Sequence, residues 1–192
     1  MKKGAWIDFS LWLAAIELVG ILSGCLAGDI RAVYQNLHQP PFSPPGWVFP
    51  VMWGILYAMM AISAYLIQHA DSTPWKKRRS ALILYAVQLA VNFSWSIVFF
   101  RFQKFGAAIG VIGLLILLVI AMIVIFRKIR PAAAGWNIPY LLWLLFAAYL
   151  NIGTFLLNPQ WQGTELLFCG SVFYIIFLRI TVLISQFFML FP

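Results

Sequence analysis

Three segments of this chain carry aromatic and amide side chains at helical spacing. Gln88, Asn92, Trp95 and Phe99 follow one another at i, i+4, i+7 and i+11, which puts them on one face of a helix. Pro139, Trp143, Ala147 and Asn151 are spaced by four and share a face in the same way. Trp53, Tyr57 and Met60 form a third stripe. Flat rings with a few hydrogen-bonding groups suit binding rather than bond-making. Converging stripes of this kind would wall a pocket for a flat, mostly apolar ligand with a few polar edges. A plainer reading stands beside this one for each residue taken singly. Asn and Gln join helices to one another inside membranes, and Trp and Tyr collect at the membrane interface. The recurrence of the stripes on separate segments favours the pocket.

Groups for conventional catalysis are not assembled. The sequence shows no Ser-His-Asp set and no phosphate-binding glycine loop. His38 and His69 lie far apart and match no metal-ligand spacing. Cys25 and Cys169 form neither a CxxC pair nor a disulfide framework. Neither a catalytic residue nor a metal site is expected. Glu17 falls near the centre of an apolar run, where a carboxylate is costly unless paired or protonated. It reads as a proton or ligand contact, or as a protonated packing residue. Asp8, nearer the end of the same run, is expected to snorkel to the interface.

The elements that must position these residues are membrane helices. Of 192 residues, 64% are hydrophobic and 9% charged, more apolar surface than a soluble domain of this size could bury. Crossing the hydrocarbon core takes about 20 mostly apolar residues. Five runs qualify, at 5–27, 47–68, 80–100, 106–126 and 137–157, and a sixth at 165–190 carries Arg179 near its middle. The expected fold is all-α and integral to the membrane. It comprises a five-helix bundle over residues 1–158 and an extension, 159–192, that is a candidate sixth membrane segment. The formal charge of +8 is placed as punctuation between apolar runs, with no aromatic-interleaved basic surface, so nucleic acid is not an expected partner.

Charge placement also predicts orientation. With the N-terminus cytoplasmic, nine basic residues (Lys2, Lys3, Lys76, Lys77, Arg78, Arg79, Arg127, Lys128 and Arg130) lie on that side. Three, Arg31, Arg101 and Lys104, lie opposite. This bias suits a bacterial cell membrane. "KKRR", Lys76 to Arg79, reads as a loop between helices. "LSGC", Leu22 to Cys25, resembles a lipoprotein signal, but Asp8 and Glu17 interrupt the apolar run and favour a retained first helix. Gly20, Gly24 and Gly28, with Gly106 and Gly110, offer faces for close packing within the chain or between two copies.

The connection at 28–46 is unusual. From Pro40 to Trp53 the chain reads "PPFSPPGWVFPVMW", with five prolines and two tryptophans. Proline limits backbone freedom, so such a segment loses less entropy when it closes over a cavity. Three blocks then resemble the TspO/translocator protein family of tryptophan-rich sensory proteins. They are "SPPGWVFPVMWGILYAMM" from Ser43, "QLAVNFSWSIVFF" from Gln88 and "PYLLWLLFAAYLN" from Pro139, in order on the second, third and fifth helices.

The resemblance implies a five-helix bundle, usually a homodimer, with a pocket under the first long loop. The ligands implied are porphyrins such as protoporphyrin IX and haem, with membrane lipid around the bundle and no cofactor required. Trp53 and Trp143 would be aromatic walls and Asn92 a polar contact. Tyr34, Pro44 and Pro45 would belong to the lid, and Trp95, Ala147 and Asn151 would line or support the cavity. Tyr57 shares the Trp53 stripe. Arg31 and His38 are loop candidates for the propionates. The chain departs from the pattern at Phe42, where the family often has Trp, and at Val33-Tyr34, where it often has two aromatics. "NIGTFLLNPQW" lacks the Tyr and basic residue of the family's sterol motif, so sterol binding is not expected. The function implied is tetrapyrrole sensing, transport or regulation. Light-dependent porphyrin breakdown is one alternative, and a small transporter or assembly partner is another.

Overall fold

The computed structural model describes residues 3–161. The sixth apolar run, with Cys169 and Arg179, and all but the first residues of the 159–192 extension lie outside the described residues. Within them the chain is helical: α1 Lys3–Leu26, α2 Ile30–Asn36, α3 Val48–Gln68, α4 Trp75–Ser96, α5 Phe105–Ile129, α6 Pro131–Gly135 and α7 Ile138–Leu157. Five stretches are long and apolar enough to cross a membrane: Trp6–Leu26, Val48–Gln68, Trp75–Arg101, Phe105–Ile129 and Pro131–Leu157. This is the all-helical membrane architecture expected.

Proline and side-chain caps set the boundaries. Asp29 caps α2 by accepting the Ala32 amide at 3.0 Å. Pro50 stands in the first turn of α3, Pro131 opens α6 and Pro139 lies in the first turn of α7, where a missing N–H costs nothing. Gly28 joins α1 to α2 at φ 84°, a left-handed conformation that glycine adopts without strain. After α4 a π-helical turn, Ile97–Arg101, leads through Gln103 at φ 51° into α5. Arg101 Nη1 donates to the Leu26 carbonyl at the end of α1.

Two boundaries differ from expectation. Lys76 to Arg79 belong to the first turns of α4 and not to a loop. Cations at a helix N-terminus oppose the helix dipole. Arg78 offsets this by donating to the Gln68 carbonyl at 2.6 Å and to Asp71 at 3.1 Å. The last span starts at Pro131 rather than 137, because α6 and α7 stack through Trp136 and Asn137. Asn137, fully buried, donates to Ser63 Oγ at 2.5 Å and to the Ala133 carbonyl at 2.9 Å, fixing that joint to α3.

Helix α5 forms the centre of one half of the bundle, against α4 and α7, while α1 packs on α3. The core runs through Met60, Ala64, Ile67, Ala81, Leu115, Val119, Met122 and Phe126. α1 is peripheral, with Trp6, Leu11, Leu18 and Leu22 exposed where lipid would lie. Asp8 meets His69 Nε2 at 3.4 Å near the α3 end of the bundle. Of the glycines on α1, Gly20 makes a close helix contact: a Cβ there would collide with the Tyr57 ring. At Gly24 a Cβ would meet nothing within 4 Å.

Candidate functional site

A cavity of about 720 Å³ opens between α1, α2, α3 and the end of α4. Its walls are aromatic. Phe49, Trp53 and Tyr57 come from α3, Trp95 and Phe100 from α4 and its π-helical turn, and Tyr34 from α2. Trp53 stacks on Tyr57 with centroids 5.4 Å apart, and Tyr34 meets Phe49 edge-on at 5.2 Å. The stacking follows from the i, i+4 spacing on α3. Among the described residues Glu17 and Arg31 are the two charged ones on the lining, with Gln35 beside Arg31 on α2. Trp95 is buried, and its indole N–H has no partner among the described residues.

Of the ten residues singled out in the sequence, Tyr34, Trp53, Tyr57 and Trp95 come together on this lining. Asn92 stands one layer behind. It accepts the Tyr57 hydroxyl at 2.9 Å and donates to the Tyr140 hydroxyl at 2.7 Å. Tyr140 in turn donates to Gln88 at 3.1 Å. This buried chain joins α3, α4 and α7, and holds Tyr57 where it faces the cavity. Trp143 also lies behind the wall, with its ring 6.1 Å from Phe49. Ala147 and Asn151 are buried on α7, outside the lining, and neither amide atom of Asn151 has a hydrogen-bond partner among the described residues.

The lid is more structured than the prolines imply. Its first half is α2, which carries Tyr34, whose hydroxyl donates to the Pro44 carbonyl at 2.7 Å. Burial pushes the Tyr34 hydroxyl's pKa up, against a smaller opposing effect of Ser43. Pro44 and Pro45 thus act through the backbone, with the Pro45 carbonyl accepting the Val48 amide at 2.9 Å at the start of α3. Phe42, at φ 63°, leaves its ring 89% exposed at the loop surface.

Sequence reasoning missed what holds the lid down. Asn158 accepts the His38 amide and donates to the His38 carbonyl, both at 3.0 Å. Pro40 packs so closely on Gly153 that a Cβ there would lie 2.5 Å from the proline ring. The Tyr149 hydroxyl donates to the Pro41 carbonyl at 2.8 Å. The connection is therefore fastened along α7. The local signal was slight: an Asn before a Pro at the end of an apolar run. His38 is held by its backbone here, and Arg31 lines the cavity.

The sequence profile of the TspO/MBR family matches residues 12–157. A translocator protein homolog of Schizosaccharomyces pombe is 37% identical over 151 residues, covering 77% of this chain and 92% of that protein. A tryptophan-rich sensory protein of Cereibacter sphaeroides is 33% identical over 160 residues, 83% of this chain and 96% of that protein. The translocator protein of Homo sapiens is 34% identical over 130 residues, 68% of this chain and 77% of that protein. With the match running from the first membrane helix to the last described one, the chain belongs to the TspO/MBR family.

Proposed function

We propose that this membrane protein binds a tetrapyrrole of the protoporphyrin class under its lid and serves in sensing, transport or regulation of that ligand. The observation that carries the reading is the aromatic cavity of about 720 Å³ with Arg31 at its lid end. Its size falls in the range of small-molecule sites. Trp53, Tyr57 and Trp95 would stack on the macrocycle, and Arg31 would pair with a propionate. Asn92 would act by holding Tyr57. Trp143 would back the wall through Phe49. Ala147 and Asn151 would support the bundle away from the lining, and Tyr34, Pro44 and Pro45 would form the cover. A homodimer in a bacterial cell membrane, N-terminus cytoplasmic, belongs to the same reading. The separation of the basic residues between the two ends of the bundle supports the orientation.

Titration of purified protein with protoporphyrin IX, followed by tryptophan quenching, tests this. Saturable binding is expected, and Trp53→Ala should weaken it about tenfold through lost stacking and buried area. Non-saturable partitioning, or an unchanged isotherm for Trp53→Ala in a folded protein, would refute it.

A further inference from the structure

Glu17 is unexplained by a tetrapyrrole. The charged side chains of protoporphyrin at neutral pH are its anionic propionates, and a carboxylate within the pocket attracts neither. Glu17 lies on the face of α1 that also carries Gly20, Ile21 and Gly24, at i+3, i+4 and i+7, and all four line the cavity. Gly20 abuts Tyr57, so this face looks onto the Trp53–Tyr57 stack. Glu17 has no hydrogen bond or ion pair among the described residues; the acidic side chains that meet a basic one there are Asp8, against His69, and Asp71, against Arg78. Nine residues separate it from the end of α1 at Leu26, roughly 14 Å along the helix. Arg31 lies beyond that end, on α2. The cavity is therefore polarised, with a base at the lid and an acid at membrane depth.

From this polarity we infer that the cavity accepts a second class of ligand, flat aromatic amines in their cationic form, with Glu17 as the counter-ion. The aromatic walls supply stacking and cation–π attraction for the same molecule. A carboxylate in a low-dielectric wall gains most from a cation brought against it, because no water competes for the charge. A side route suits such amphiphiles: Ile21, on the lining, is 60% exposed and adjoins Leu18 and Leu22, which are exposed on α1 and off the lining. The inference rests on the cavity and not on tetrapyrrole binding.

The test uses the full chain in phosphatidylcholine nanodiscs and two probes of equal shape, 1-pyrenemethylamine and 1-pyrenemethanol. Energy transfer from tryptophan to pyrene reports binding, and empty nanodiscs correct for partitioning. The wild type should prefer the amine by about tenfold or more, the worth of a hydrogen bond to a charged partner. Glu17→Gln should bring the two affinities together by weakening the amine alone. Gly24→Leu, which fills open space in the wall, should weaken both probes and keep the preference. Equal affinities in the wild type, or a preference that survives Glu17→Gln, would overturn the inference. The wild-type comparison stands even if a variant fails to fold. A parallel protoporphyrin IX titration of the wild type separates the two readings: absence of saturable porphyrin binding with the amine preference intact would overturn the tetrapyrrole reading alone.

Discussion

Asn158→Ala should loosen the lid without unfolding the bundle. Asn158 is fully buried at the end of α7, and its amide makes both hydrogen bonds to the His38 backbone at 3.0 Å. A third bond, to the Thr154 carbonyl at 2.7 Å, stays within α7 and does not hold the lid. Each neutral hydrogen bond contributes about 1 kcal/mol net, so losing the pair shifts the lid's closed–open balance by about 2 kcal/mol. That is roughly a 30-fold rise in the open population. Amide hydrogen exchange reads this directly. The His38 and Ser43 amides, which donate to Asn158 and to the Pro40 carbonyl, should exchange up to about 30-fold faster. Amides in the middle of α5 should keep their protection. Unchanged exchange at His38 would refute the fastening of the lid through Asn158. Acceleration of equal size throughout the bundle would refute its local character.

Other substitutions test neighbouring joints. Gly153→Ala places a methyl against Pro40 and should also speed lid exchange, by a separate steric route, at a cost of about 1–3 kcal/mol to the closed state. Gly20→Ala drives a methyl into the Tyr57 ring and should lower the melting temperature in detergent; an unchanged melt would mean α1 and α3 part at no cost. Asn92→Leu removes the bonds to Tyr57 and Tyr140 and should destabilise the bundle by about 1–2 kcal/mol, measured by denaturant titration in mixed micelles. Arg78→Ala should cost under about 1 kcal/mol despite two hydrogen bonds, because Asp71 is solvent-exposed, and a larger loss would show that the Gln68 carbonyl needs this cap.

The sequence by itself determined the membrane class, the five spans and the family. These are properties of local composition: an apolar run long enough to cross hydrocarbon must be helical, since no water is there to satisfy its backbone. The three aromatic stripes were legible for the same reason, because helical periodicity fixes which residues share a face. What periodicity leaves open is which faces meet. Tyr57 and Asn92 look alike as polar residues on stripes, yet one lines the cavity and the other is consumed in bonds behind it. Trp53 and Trp143 look alike as aromatic walls, yet Trp143 is off the lining and touches edge-on Phe49, which is on it. Glu17 was legible as an anomaly, but only the packing of Gly20 on Tyr57 aimed it at the aromatic stack. The lid's fastening to Asn158 joins residues 120 apart in sequence. Such contacts depend on how helices rotate about their axes and how far each rises above its neighbours, and tertiary packing alone sets both.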